Sequence, residues 1–170
     1  MKTLWEKQDM DRLKRLTQKM KALPEAEQAL PQNLLRYGSA YAAYDAVCQK
    51  SLEAGHIARL FTEARKRPGG EGICDGAYMA ALADTVEQMD IQIYEHYRCL
   101  ADLLLEAAQA FVRSEGRQDP LAVYAVLKGI RLGLLDEERY LEPAFDAFCR
   151  LPADGEAYAM AAEEHRRAAL

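Results

Sequence analysis

The stretch DPLAVYAVLKGIRLGLLDEERYLEPAFDAFCRL, from Asp119 to Leu151, decides the fold class of this chain. Asp119 followed by Pro120 is typical of a helix N-cap and a first helical residue. The apolar residues from Leu121 to Leu135 are too dense for a surface helix, so this helix is predicted to be buried on most sides. A second helix is expected to start near Pro143, because proline is poorly tolerated inside a helix. The stretch therefore predicts two helices packed as a hairpin.

The rest of the chain carries the same helical pattern. Alanine, leucine, glutamate and arginine dominate, β-branched residues are few, and strand-like alternation is not convincing anywhere. We expect seven or eight helices, mostly joined by short connections, which makes consecutive helices antiparallel neighbours. The predicted fold is all-α: an array of antiparallel α/α hairpins or a compact helical bundle.

Three helices and one break between them are predicted before the hairpin. One helix is predicted over 32–54 with Gly55 as its stop, another over 76–89, and a third from Ile91 to Arg113 with Asp90 as its N-cap. The glycine-rich segment at 67–72 is the clearest break and has no phosphate-loop pattern. We expect a single domain over 1–170 with a sub-boundary at 67–72.

Charge and composition narrow the function classes. The net charge of -5 and the absence of a long basic run argue against a nucleic-acid partner. No segment reaches the length of apolar residues that a membrane-spanning helix needs, and the amino terminus does not resemble a signal peptide. The four cysteines are widely spaced, which favours free thiols and a cytoplasmic location.

Few residues have the spacing that chemistry requires. Glu53 and His56 have the Glu-x-x-His spacing of di-iron bundles, but no second copy accompanies them, so no metal or other cofactor is expected. Asp75 opens the helix after the glycine-rich break, where a carboxylate is usually an N-cap. Asp84, in the middle of the same helix, is either an acid at the edge of the core or a solvent-facing one. Tyr41 belongs to a tyrosine face that either packs or lines a sugar pocket.

Two segments resemble one enzyme family. Gly76 to Gln88, GAYMAALADTVEQ, is similar to the helix GWxxAALADxLE of the unsaturated rhamnogalacturonyl and glucuronyl hydrolases, glycoside hydrolase families 105 and 88. Ala122 to Leu151 is similar to that family's hairpin AYALLKGIRLGYLDEEYLEPAxKAFEGL, and Tyr94 to Val112 to the helix between them. The resemblance covers about half of the chain. It implies a fold related to the family's toroid of six α/α hairpins, of which this chain would form part.

The resemblance bears on activity in two ways. The family's sugar-holding arginine and tryptophan would fall near Ile73 and Ala77, and a catalytic aspartate is not carried over in this alignment. In a second alignment, Asp75 to Ala80 matches the family motif W-x-D-G-L-Y-M-A at five of six positions. That alignment implies that Asp75 is the general acid/base that hydrates the sugar's enol-ether double bond, beside aromatic residues such as Tyr78 and Tyr41.

Three functions follow as expectations. The first is a degenerate or truncated relative of the uronyl hydrolases that lacks full catalytic machinery and acts in carbohydrate binding or as an interaction module. The second is an active hydrolase of 4,5-unsaturated uronyl sugars that uses Asp75. The third is a helical-repeat scaffold for protein binding. A sugar or protein partner and a homo-oligomer are expected, because part of a toroid exposes hairpin faces that normally meet neighbours.

Overall fold

The computed structural model describes residues 4–66, 75–114 and 119–169, and the fold over these ranges is all-α, as predicted. No β-strand occurs within them. The predicted sub-boundary at 67–72 lies outside the described residues. The helices are α1 (Leu4–Ala22), α2 (Glu25–Gln28), α3 (Pro31–Asn33), a π-helical turn (Leu34–Gly38), α4 (Ser39–Cys48), α5 (Ala54–Arg65), α6 (Gly76–Gln88), α7 (Tyr94–Arg113), α8 (Pro120–Arg131), α9 (Glu137–Cys149) and α10 (Gly155–Ala168).

The helices form two layers of α/α hairpins. In one layer α4, α6, α8 and α10 pack side by side, and in the other α5, α7 and α9 return the chain. Helices α6 and α8 are parallel. The Gly76 amide donates a hydrogen bond to Asp119 where the two helices start, and Lys128 forms an ion pair with Glu87 near the ends of both. Helices α5 and α7 are parallel as well: Gly55 lies against His96, and Arg65 pairs with Glu106 about three turns later in both helices. The fold is therefore the predicted hairpin array.

The core is centred on α6 and α8. Every residue of α8 from Ala122 to Gly129 is buried, which confirms that this helix is covered on most sides. Gly129 permits this packing, since a Cβ there would lie 2.7 Å from a methyl carbon of Leu135. Each large apolar side chain buried in this way contributes roughly 1.5–3 kcal/mol.

The helix predicted over 32–54 is broken in two places. The π-helical turn places Gly38 where a Cβ would lie 2.9 Å from Thr85 Oγ1, so α6 and this turn approach closely only through glycine. The chain then turns after Cys48, with Lys50 at φ 51° and Ser51 at φ 60°. Left-handed backbone at a non-glycine residue costs about 1–3 kcal/mol. The predicted stop at Gly55 is wrong: this residue lies in the first turn of α5.

The predicted starts of two further helices are wrong. Helix α9 begins at Glu137 and contains Pro143, because the Asp136 carboxylate accepts the Glu138 amide at 2.9 Å and caps the helix earlier. Helix α7 begins at Tyr94 rather than at Ile91. The Asp90 carboxylate does accept a nearby amide, that of Gln92 at 2.8 Å, but the bond closes a turn before the helix.

Candidate functional site

A polar cleft opens on the layer formed by α6, α8 and α10. Its volume is about 480 Å³. We call it the polar cleft; its principal lining residues are Glu87, Tyr124, Lys128, Arg131, Glu156 and Met160. Because α6, α8 and α10 are neighbours in one layer, the cleft gathers side chains that are far apart in the sequence.

Lys128 lies at the floor of the polar cleft, with a side chain that is only 8% exposed. Its Nζ donates to Asp84 Oδ1 at 2.7 Å and to the Tyr124 hydroxyl oxygen at 3.2 Å, and it forms an ion pair with Glu87 Oε2 at 2.6 Å. Burial alone lowers the pKa of the lysine, but the bonds to the two carboxylates outweigh it and hold this pKa above its ordinary range. Lys128 is therefore a charged residue that joins α6 to α8.

Tyr124 completes the contact to Asp84. Its hydroxyl donates to Asp84 Oδ1 at 2.5 Å. Burial and the nearby carboxylate of Asp84 both raise the pKa of Tyr124. The tyrosine is therefore a neutral donor, and the same oxygen of Asp84 accepts from both Tyr124 and Lys128.

Arg131 extends the network to α10. Its guanidinium binds Glu164 with two parallel hydrogen bonds of 2.8 and 3.0 Å, the geometry that arginine and carboxylate prefer. The bonds to Glu164 raise the pKa of Arg131. Glu164 is 5% exposed, and a terminal nitrogen of Arg167 lies 3.5 Å from Glu164 Oε1, one of the two oxygens that Arg131 binds. Three parallel helices are thus linked by alternating charges along one wall of the polar cleft.

Asp75, the predicted catalytic residue, caps α6. Its Oδ1 accepts the Ala77 amide at 2.8 Å. The neighbouring amide of Gly76 donates to Asp119 Oδ2 at 3.0 Å, and Asp119 Oδ1 in turn caps α8 at Leu121. A Cβ on Gly76 would collide with the Asp119 carboxylate. Two aspartates therefore organise the adjacent amino termini of α6 and α8, and the catalytic role of Asp75 stays a prediction.

The two predicted substrate-binding tyrosines are core residues. Tyr78 is 2% exposed and donates its hydroxyl to the Phe61 carbonyl at 3.2 Å; burial raises its pKa. Tyr41 is 1% exposed and donates to Glu53 Oε2 at 3.0 Å; burial, and then Glu53, raise its pKa. Neither residue lines the polar cleft.

The Glu53 and His56 pair is committed to other partners. The Glu53 carboxylate accepts from Tyr41 and lies 3.4 Å from Lys21 Nζ. Burial raises the pKa of Glu53, but these two donors together hold it below its ordinary value. His56 Nδ1 lies 2.8 Å from an Arg59 nitrogen. Within the described ranges, no group of three or more histidine, cysteine, aspartate or glutamate side chains is arranged to hold a metal ion.

The sequence pointed only weakly to the polar cleft. Asp84 was predicted either at the edge of the core or facing solvent, and Lys128 and Arg131 belong to a helix that was predicted to be buried on most sides. One sequence signal does point to the contact between Asp84 and Lys128. Lys128 follows Tyr124 by one helical turn within an otherwise apolar run, and a lysine that is buried there requires a partner of opposite charge.

Comparison with known proteins returns no match to this chain among family models, curated proteins or solved structures. In the part of the chain that the structure describes, no helix has both the length and the apolar character needed to span a membrane. Cys48, Cys99 and Cys149 are free thiols, and Cys74 lies outside the described residues.

Proposed function

We propose that this protein is a non-catalytic relative of the unsaturated uronyl hydrolases and binds a carbohydrate in the polar cleft. The observation that carries the proposal is the alternation of paired donors and acceptors across three parallel helices. Arg131 and Arg167 are 33% and 47% exposed and offer N–H groups, while Glu87 and Glu156 offer carboxylate oxygens along the cleft. Sugar hydroxyls both donate and accept hydrogen bonds, so such a wall suits them.

The kind of sugar follows from the resemblance and from the charges. The segments that are similar to the family, Gly76–Gln88 and Ala122–Leu151, supply Asp84, Glu87, Tyr124, Lys128 and Arg131. A uronyl group has one carboxylate, which Arg131 or Arg167 can bind with two hydrogen bonds. The acidic residues of the cleft disfavour polyanions, so a short saccharide with a single uronate is the best fit.

The hydrogen bonds of Asp75 and Asp84 favour binding over catalysis. A general acid/base needs a carboxyl group that reaches the substrate and exchanges a proton. Asp75 accepts a backbone amide at a helix start, and Asp84 accepts from a lysine and a tyrosine at once. Both carboxylates are therefore engaged with partners inside the fold, and neither Asp75 nor Asp84 lines the polar cleft.

The test combines turnover and binding on the same sugars. Unsaturated glucuronyl and rhamnogalacturonyl disaccharides are titrated into the protein by calorimetry, and the ultraviolet absorbance of their double bond is followed in parallel. We expect saturable binding with no loss of absorbance. Glu156→Ala, which removes an exposed acceptor of the cleft, should weaken binding roughly fivefold to tenfold, the effect of losing one hydrogen bond that contributes about 1–1.4 kcal/mol.

A matched control separates the cleft from general charge effects. Glu138 occupies the same position in the first turn of α9 as Glu156 in α10 but lies outside the cleft, so Glu138→Ala should leave binding unchanged. Absence of saturable binding at millimolar sugar would reject the proposal. Loss of absorbance that disappears in Asp75→Asn would replace it with the active hydrolase.

The interaction-module alternative has its own observation. Leu52, Ile91 and Tyr94 are exposed apolar residues that do not belong to the polar cleft. A protein scaffold would use them whether or not a sugar binds elsewhere. The homo-oligomer, the cytoplasmic location and the lack of a nucleic-acid partner stay predictions, and the first of these is independent of the polar cleft.

A further inference from the structure

Three exposed apolar side chains lie on two connections at one end of the hairpin array. Leu52 is 84% exposed in the connection between α4 and α5; Ile91 is 63% and Tyr94 60% exposed where α6 passes into α7. We call these three residues the loop-edge patch. Single exposed apolar residues are normal on protein surfaces, whereas large ones on adjoining loops mark an interaction surface.

The two connections adjoin each other. A small cavity is lined jointly by Ser51 and Ala54 from the first connection and by Met89 and Asp90 from the second. The first residues of α5 and α7 also meet, since a Cβ on Gly55 would lie 3.3 Å from the ring of His96. Leu52 directly follows Ser51 and Ile91 directly follows Asp90, so the adjoining loops bring these two residues to the same end of the hairpin array.

The first loop is fixed rather than loosely exposed. Both oxygens of the buried Asp45 carboxylate accept the Glu53 amide, at 3.0 and 3.1 Å, and the Asp45 carbonyl accepts the amides of Gln49 and Ser51. Lys50 and Ser51 are held in left-handed backbone by this arrangement. Strained backbone is retained where the conformation serves a purpose. Here its result is that Leu52 projects into water on a preorganised loop.

We propose that the loop-edge patch is the contact surface of a two-fold homodimer. Charge supports a second copy as the occupant. Lys50 has no ion pair in the described part of the chain and flanks the patch on one loop, while Asp90 flanks it on the other. In a two-fold contact the same surface meets itself, so Lys50 of each copy faces Asp90 of the other.

The available area sets the expected strength. The three side chains expose roughly 400 Å² per copy, and a two-fold contact that includes their polar neighbours buries about 1,000 Å² in total, the lower bound of a specific interface. Such a dimer is weak and reversible, with a dissociation constant on the order of 10–100 μM.

Sedimentation velocity over a concentration series tests the interface. Wild type should shift from monomer to dimer across this concentration range. Leu52→Gln and Ile91→Gln should each weaken the dimer about tenfold or more, because each change removes an apolar contact twice. Val112→Gln is the matched control: Val112 is 38% exposed near the end of α7, and this variant should dimerise like wild type. Circular dichroism verifies that each variant is folded.

A charge reversal tests the pairing itself. Lys50→Glu should weaken the dimer, and so should Asp90→Asn, which keeps an acceptor for the Gln92 amide. The double variant Lys50→Glu with Asp90→Asn should dimerise more tightly than Lys50→Glu alone, because asparagine removes the repulsion between the two carboxylates. A chain that stays monomeric to the highest concentration would overturn the proposal and leave the patch to a different partner. A dimer unaffected by Leu52→Gln would overturn it as well, by placing the interface elsewhere.

Discussion

Replacing Lys128 with methionine tests whether the charge network of the polar cleft stabilises the fold. Methionine keeps most of the buried stem, so the change removes the charge and leaves Asp84 and Glu87 facing a site without a cation. Loss of one partner from a buried ion pair costs about 3–5 kcal/mol. The two carboxylates retain 19% and 31% exposure, so water offsets part of this loss. We expect the free energy of unfolding to fall by about 2–3 kcal/mol at pH 7.

The measurement is urea unfolding of both proteins across pH, with Lys19→Met as a control. A loss of this size lowers the melting temperature by about 4–12 °C in a domain of this length. Lys19 is an exposed lysine of α1 outside the network, and its replacement should change stability by less than about 0.5 kcal/mol. Asp84→Asn in the Lys128→Met background should recover part of the loss, because it removes the repulsion and keeps an acceptor for Tyr124.

The pH dependence of the stability difference follows from the raised pKa of Lys128. The pKa of Lys128 is raised on folding, so its contribution is complete below the unfolded value of about 10.4 and is lost as pH rises through the folded value. Above pH 10.4 the gap between wild type and Lys128→Met should therefore close by about 1.4 kcal/mol per pH unit. A variant within about 0.5 kcal/mol of wild type at pH 7, or a gap that stays constant with pH, would refute this reasoning.

Two further changes test the helix starts. Gly76→Ala should lower the free energy of unfolding by about 1–3 kcal/mol, although alanine favours helix, because its Cβ would collide with the Asp119 carboxylate. Thermal unfolding measures the change, and a stabilised variant would contradict the close approach of Gly76 to Asp119. Asp75→Ala should cost about 1 kcal/mol while Asp75→Asn costs only a few tenths, since asparagine is also a good cap; equal losses in urea unfolding would show that capping is not the role of this residue.

The helical architecture was predictable because its signals are local. The cap and proline at Asp119–Pro120 start α8 where expected, and the predicted helices over 76–89 and to Arg113 match α6 and the end of α7. The break between α4 and α5 was not predictable in the same way. It lacks proline and glycine at the turn itself and depends on Lys50 and Ser51 in left-handed backbone, which Asp45 stabilises through its contacts with the amides of Ser51 and Glu53. A side chain of the preceding helix overrides the usual residue preference of the turn there.

The candidate site was much less accessible to sequence reasoning, for a related reason. Asp84 and Lys128 are separated by 44 residues, and their contact follows from the parallel packing of α6 and α8 rather than from any motif. A motif similar to the family's surrounds Asp75, yet the observed contact of Asp75 is the one that an aspartate at a helix start predicts. Tyr41 and Tyr78 are aromatic residues on predicted helices, and periodicity does not separate a pocket wall from a core.

The parallel arrangement also explains why the charges occur in this order. Parallel helices place their negative carboxyl ends side by side, and α6 adds Asp84 and Glu87 to its own last turns, where acidic residues are unfavourable. Helix α8 carries Lys128 and Arg131 at the same level, so its basic residues compensate both helix ends and both carboxylates. A ligand in the polar cleft therefore meets charges that the fold already requires. Substitutions that change ligand preference there should be tolerated only in compensating pairs, such as Asp84→Asn together with Lys128→Met.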